Sequence, residues 1–186
     1  MIANAVTFLR LFLTVVVVAL FNVNYYLDIG LIVTIAGIFI LDVVGGIIAR
    51  KCNQTTKLGT ILDTVVNRSV ENTFWIYFTV TGLIPLWMPI TVLARGFFTD
   101  NLQQCIQLST TGWAHILTRS RTIHALYDIA KMSTFLCLAG ISAFKPENPV
   151  IELTSIILAT GTIGFCILRG IPLFIETCKI FTVNPQ

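Results

Sequence analysis

Apolar residues along this chain fall in long unbroken blocks, not in stripes one helix face wide. A helix that crosses a bilayer needs about 20 mostly apolar residues. Six blocks meet that length: Ala5–Phe21, Ile29–Ala49, Leu58–Gly82, Pro85–Cys105, Thr122–Phe144 and Val150–Ile180. The last is long enough to end in an extension along the membrane surface. The segments between them carry turn chemistry. Asn22 to Asp28 is short and polar-aromatic, Lys51 to Lys57 is basic and polar, and Gly82 to Pro85 is a tight turn. Gln107 to Arg121 is the longest polar stretch, and Lys145-Pro146-Glu147-Asn148-Pro149 is a turn by composition. The pattern predicts an all-α membrane protein, one six-helix bundle over residues 1–186, with no internal repeat.

Composition agrees. Hydrophobic residues make up 55% of the chain and charged residues 11%, with a mean hydropathy of +0.86. Soluble domains carry roughly 25% charged residues, so too few charges exist here to cover a water-facing surface. The net charge of +3 comes with no basic run and no Arg-aromatic pattern, which excludes nucleic acid as a partner class. Five cysteines, an odd number with no CxxC, exclude a disulfide framework and a zinc site. The first block lacks a positive leading region and a small-residue cleavage site, so it reads as a retained helix.

Six spans put both termini on one side. Linkers on that side hold Arg50, Lys51, Lys57, Arg119 and Arg121, whereas the opposite linkers hold Lys145 as their only cation. Excess cations mark the cytoplasmic face, so both termini are expected in the cytoplasm or its equivalent. A bacterial inner membrane and a mitochondrial inner membrane fit equally. Tyr25, Tyr26, Trp87 and Trp113 fall near span ends, where aromatic rings favour the interface.

Ionisable groups inside spans cost about 2.5–3.5 kcal/mol each on insertion scales and are retained for a reason. Asp42, Asp63, Arg68, Glu71, Arg95, Asp128, Lys131, Arg169 and Glu176 fall in or near spans. Arg68 with Glu71, and Asp128 with Lys131, have the i,i+3 spacing of helical ion pairs. Asp42 and Asp63 have no cation at helical spacing on their inner side. Asp42, Gly45, Gly46 and Ala49 share a face of the second helix, with Arg50 at its edge. Gly59, Asp63, Asn67 and Glu71 share a face of the third. A short linker makes the two helices neighbours. The small residues leave either a cleft for a ligand or a surface for close helix packing. Two acids and an arginine on the same gap favour the cleft.

This stretch resembles the signature of the CDP-alcohol phosphatidyltransferases, D-x2-D-G-x2-A-R-x8-G-x3-D-x3-D. Asp42, Gly46, Ala49, Arg50, Gly59 and Asp63 stand at its fixed positions. Gly45 stands where the second Asp belongs, and Asn67 where the fourth belongs. Asn4-Ala5-Val6-Thr7-Phe8-Leu9-Arg10 is similar to the N-x-x-T-x-x-R opening of the phosphatidylglycerophosphate and cardiolipin synthase branch, and Asn53 to Gly59 to its N-Q-x-T-K-F-G run. The resemblance implies a six-helix homodimer whose four acids hold two divalent cations, Mg2+ or Mn2+. These would clamp the pyrophosphate of CDP-diacylglycerol while the Arg and glycines contact the CDP portion. The fourth Asp would deprotonate the acceptor hydroxyl, and CMP would leave.

Two carboxylates, Asp42 and Asp63, balance one divalent cation or none once Gly45 and Asn67 replace acids. Asn67 offers an amide oxygen but takes no proton from an alcohol, and a missing general base costs about 10²–10⁴-fold. Glu71, one turn on, is either a displaced ligand or base or a partner of Arg68. His115 and His124 read as interfacial residues or phosphate contacts. Arg119 and Arg121 read as contacts to an acidic head group or as topology determinants. Two functions stay open: a phosphatidyltransferase passing the phosphatidyl group to glycerol 3-phosphate or phosphatidylglycerol, and a catalytically degenerate relative serving as a lipid-binding or structural subunit of a membrane assembly. A transporter would show symmetric halves, which this chain lacks.

Overall fold

A computed structural model of the protein describes residues 2–51, 57–105, 121–144 and 149–183. Six helices and no strand occur among the described residues: α1 Ile2–Leu20, α2 Tyr25–Lys51, α3 Lys57–Val80, α4 Trp87–Cys105, α5 Arg121–Phe144 and α6 Pro149–Val183. Each expected span is there, within a few residues. The largest shift is at α2, which takes in most of the polar-aromatic stretch expected as linker. The cause is a cap. The Asn24 side-chain oxygen accepts from the Tyr26 N–H at 3.2 Å, and the Asp28 N–H donates to the Asn24 carbonyl at 2.9 Å. At the other end of the third span, Gly82 adopts φ +79°, so α3 stops at Val80 and the chain turns.

Three segments are long and apolar enough to cross a bilayer: Tyr25–Ile47, Ala125–Phe144 and Leu153–Pro172. Ala5–Leu20 in α1 is a shorter apolar helix. Of the remaining two helices, α3 carries charges that meet partners within the bundle, and α4 carries the buried Arg95. The chain is thus an all-α membrane protein, and its outward surface agrees: Phe12, Val33, Ile61, Phe97, Ile129 and Ile157 are exposed, as a hydrocarbon-facing surface requires.

Packing runs through α1 with α2 and α3, α2 with α5, α3 with α4, and α6 with α4 and α5. An aromatic cluster ties the centre together. Phe135 of α5 lies 5.8 Å from Phe39 of α2 and 5.5, 5.1 and 6.1 Å from Phe74, Trp75 and Phe78 of α3, ring centre to ring centre. The neighbour relation expected for α2 and α3 is mediated. They touch through large rings, Phe39 to Phe74 at 6.2 Å, while α1 packs closely on both. A second tie sits at the far end of the bundle. Asn22, at φ 66°, donates its N–H to Asp28 at 2.9 Å and its side-chain amide to Tyr77 and Ser142 at 3.1 Å.

Candidate functional site

Arg10 is the sole charged residue of α1, in a helix that past Asn4 is otherwise apolar or hydroxylated. An arginine there must find its partners inside the bundle, and it is 1% exposed. Its Nε donates to the Ile38 carbonyl of α2 at 3.1 Å. Its Nη1 donates to Asp42 Oδ1 at 2.6 Å and lies 3.6 Å from Asp63 Oδ1. Its Nη2 donates to Asn67 Oδ1 at 3.3 Å. Thr14, one turn on, donates to the Arg10 carbonyl at 2.8 Å. The planar guanidinium thus reaches three motif positions on two helices with one rigid fork.

The two motif acids therefore converge, as the pattern on α2 and α3 predicts. They converge on a cation from α1, not on each other alone. Sequence reading placed Arg10 in the N-x-x-T-x-x-R opening but not in the site, although a lone charge in an apolar span is a signal of an internal partner. Gly45 faces α1: a Cβ there would lie 3.4 Å from Val6 Cγ1. This glycine therefore lies beside α1, with room for a Cβ at ordinary contact distance. Gly46 and Gly59 are half-buried on the same helices as Asp42 and Asp63. Ala49 and Arg50 continue α2, and Arg121 opens α5. The side chains of Ala49, Arg50, Arg121, His124 and Glu176 lie outside the described residues, as do Arg119 and His115 entirely.

Glu71 belongs to a second cluster. It is 2% exposed and accepts from Tyr127 OH at 2.6 Å and from Lys131 Nζ at 3.3 Å. Arg68 approaches it at 3.7 Å, and Lys131 also meets Asp128 at 3.0 Å. Both expected i,i+3 pairs are present, joined into one network across α3 and α5. This satisfies Glu71 as a structural anion and takes it away from the motif. Arg169 of α6 lies over the Tyr127 ring, Cζ 5.1 Å from its centre, and Lys131 Nζ is 4.7 Å from the same centre. Arg95 of α4 lies against Gly170, whose added Cβ would sit 3.4 Å from Arg95 Cγ. The Arg95 Nε is buried without a hydrogen-bond partner among the described residues. Four cations face two acids here, so the cluster suits an anionic ligand.

Divalent cations fit the motif poorly. Mg2+ binds oxygens at about 2.0–2.1 Å in a near-octahedral shell. The space that Asp42, Asp63 and Asn67 share holds the Arg10 guanidinium, and Gly45 adds no ligand. Among the described residues no three His, Cys, Asp or Glu side chains converge for a metal.

A family profile described as CDP-alcohol phosphatidyltransferase matches residues 1–168. A Bacillus subtilis protein named CDP-diacylglycerol–glycerol-3-phosphate 3-phosphatidyltransferase is 27% identical over 114 residues, 61% of this chain and 53% of that protein. A Mycobacterium tuberculosis protein provisionally named a cardiolipin synthase is 41% identical over 54 residues, 29% of this chain and 26% of that protein. The matched region spans about half the length of the first relative and a quarter of the second.

Proposed function

The chain belongs to the CDP-alcohol phosphatidyltransferase family, and from that premise we propose that it moves a phosphatidyl group from CDP-diacylglycerol to glycerol 3-phosphate or phosphatidylglycerol, releasing CMP. The observation that carries this reading is the convergence of Asp42 and Asp63 on one point between α1, α2 and α3. Gly46, Ala49, Arg50 and Gly59 are the proposed contacts to the CDP portion. The acceptors named are both phosphate esters, and the cations of the second cluster supply the matching charge. Asn67 and Glu71 lie one turn apart on α3, about 6 Å along the axis. Donor cleft and cationic cluster are therefore adjacent, as in-line attack of an acceptor oxygen on the β-phosphorus requires. Arg119 and Arg121 would add to the acceptor side.

In this scheme Arg10 faces the pyrophosphate as a fixed positive charge, of the kind that stabilises phosphoryl transfer. Asn67 at the base position holds the acceptor hydroxyl, whose proton passes to water or to the departing CMP as the new P–O bond forms. Turnover is accordingly slow by the factor a missing base costs, about 10²–10⁴-fold. The proposal places both termini on the cytoplasmic or matrix face of a bacterial or mitochondrial inner membrane, in one domain that pairs as a homodimer or joins a larger assembly.

Purified protein supplied with CDP-diacylglycerol and either acceptor, with and without Mg2+ or Mn2+, should release CMP above the rate of an Asp42→Asn, Asp63→Asn control. Release no faster than that control removes the transfer reading. A second reading then takes its place: a lipid-binding subunit. It is favoured by one observation, that Asn67 is already bonded to Arg10 where a working site needs a free base.

A further inference from the structure

We propose that Arg10 is the resident cation of a cleft short of two acids, so that this site keeps its form and meets an anionic ligand without a divalent ion. The ligand half of this inference rests on the family reading above; the metal half does not.

Charge leads to it first. Four carboxylates are matched by two divalent ions; this cleft keeps two carboxylates, Asp42 and Asp63, and a neutral amide at Asn67. One guanidinium leaves a single negative charge, against two for an empty site. A divalent ion added beside it would have to lie near a buried guanidinium and would find only one uncommitted carboxylate. Geometry agrees. Arg10 is tied at Nε, Nη1 and Nη2 to acceptors on two helices, so its fork is fixed rather than draped. The missing second acid matters as well: Gly45 lies beside α1, the same helix that delivers Arg10, with an added Cβ at ordinary contact distance, 3.4 Å, from Val6.

The two acids are held unequally. Asp42 is bonded at 2.6 Å and its side chain is 19% exposed, whereas Asp63 stands at 3.6 Å and 51%. Asp63 is therefore the displaceable partner. A diphosphate oxygen entering from the open side replaces it against Nη1, while Asp42 and Asn67 keep the guanidinium aimed. The ligand class is a nucleoside diphosphate or its lipid ester, bound through phosphate to arginine.

The test uses the full chain in lipid nanodiscs. Mn2+ titration followed by electron paramagnetic resonance should find no bound ion beyond that of an Asp42→Asn, Asp63→Asn control. A Gly45→Asp, Asn67→Asp variant, which restores the carboxylates, should gain a bound ion. Arg10→Met should gain one too; because that variant loses a buried charge and risks misfolding, Gly45→Asp, Asn67→Asp serves as the independent check. One Mn2+ per wild-type chain, lost in the Asp42→Asn variant, overturns the proposal. In the ligand arm, CDP binding by calorimetry should be equal in EDTA and in Mg2+ within about twofold, and a gain of about tenfold or more in Mg2+ overturns it. Absence of CDP binding in both buffers counts against the nucleotide-lipid reading, and the Mn2+ arm still decides the role of Arg10.

Discussion

Arg10 and Glu71 show how a membrane bundle accommodates charge, residue by residue. Each is buried, and each is matched by partners from other helices. Removing one member of such a set strands the rest, which costs about 3–5 kcal/mol when the pair is buried. Lys131→Met should therefore lower stability by about that amount, read as a fall in the thermal midpoint of the detergent-solubilised protein. Adding Glu71→Leu should recover much of the loss, and a double-mutant cycle should give a coupling energy of about 1–3 kcal/mol. Additive single effects would mean that the two groups are not a pair in the folded protein. Tyr127→Phe removes one hydrogen bond from the same carboxylate, and the expected loss is about 1–3 kcal/mol. Asp42 and Asp63 could be picked out from the motif alone. Their partner could not, because Arg10 is 32 residues from Asp42 and no local spacing reports such a pair.

Helix positions follow from features short enough to read along the chain. Runs of apolar residues set the spans, Asn24 caps α2, and Gly82 ends α3 at a backbone angle that other residues adopt at a cost. Gly82→Ala should destabilise by about 1–2 kcal/mol, with no loss of helix by circular dichroism. Packing between helices sets the larger costs. Phe135 touches rings on both α2 and α3 and is fully buried; Phe135→Ala should cost about 3–5 kcal/mol. Gly45 tests the closeness of α1 to α2. Alanine there meets Val6 at ordinary contact distance, so Gly45→Ala should change stability by less than about 1 kcal/mol, whereas Gly45→Leu should cost about 1–3 kcal/mol by overpacking. Equal tolerance of both would mean that α1 does not lie against this glycine.

Across the whole molecule, the proposed topology of six crossings would return the chain to the face from which it began. A reporter fused to either terminus should therefore respond identically to an impermeant reagent. Opposite responses would show an odd number of crossings. Two polar centres lie next to each other along α3, one around Arg10 and one around Glu71, and α1, α4, α5 and α6 each bring charge to one of them. On the proposed function, that adjacency would divide the donor end from the acceptor end. Arg95→Met should weaken use of a phosphate-bearing acceptor, seen as a rise in its KM, with little change in CDP binding.

By itself the sequence determined the six helices of the described residues, their approximate limits, the membrane as solvent and the family, because each depends on run length or fixed local spacing. It also located the two motif acids. Tertiary structure decided what those acids face. Charge pairing across helices depends on which faces meet, and that choice is made by packing: α1 packs on both α2 and α3 and brings Arg10 between them. The same holds for Glu71, whose place beside Asn67 on α3 suggested the motif, but whose partners on α5 draw it into another network.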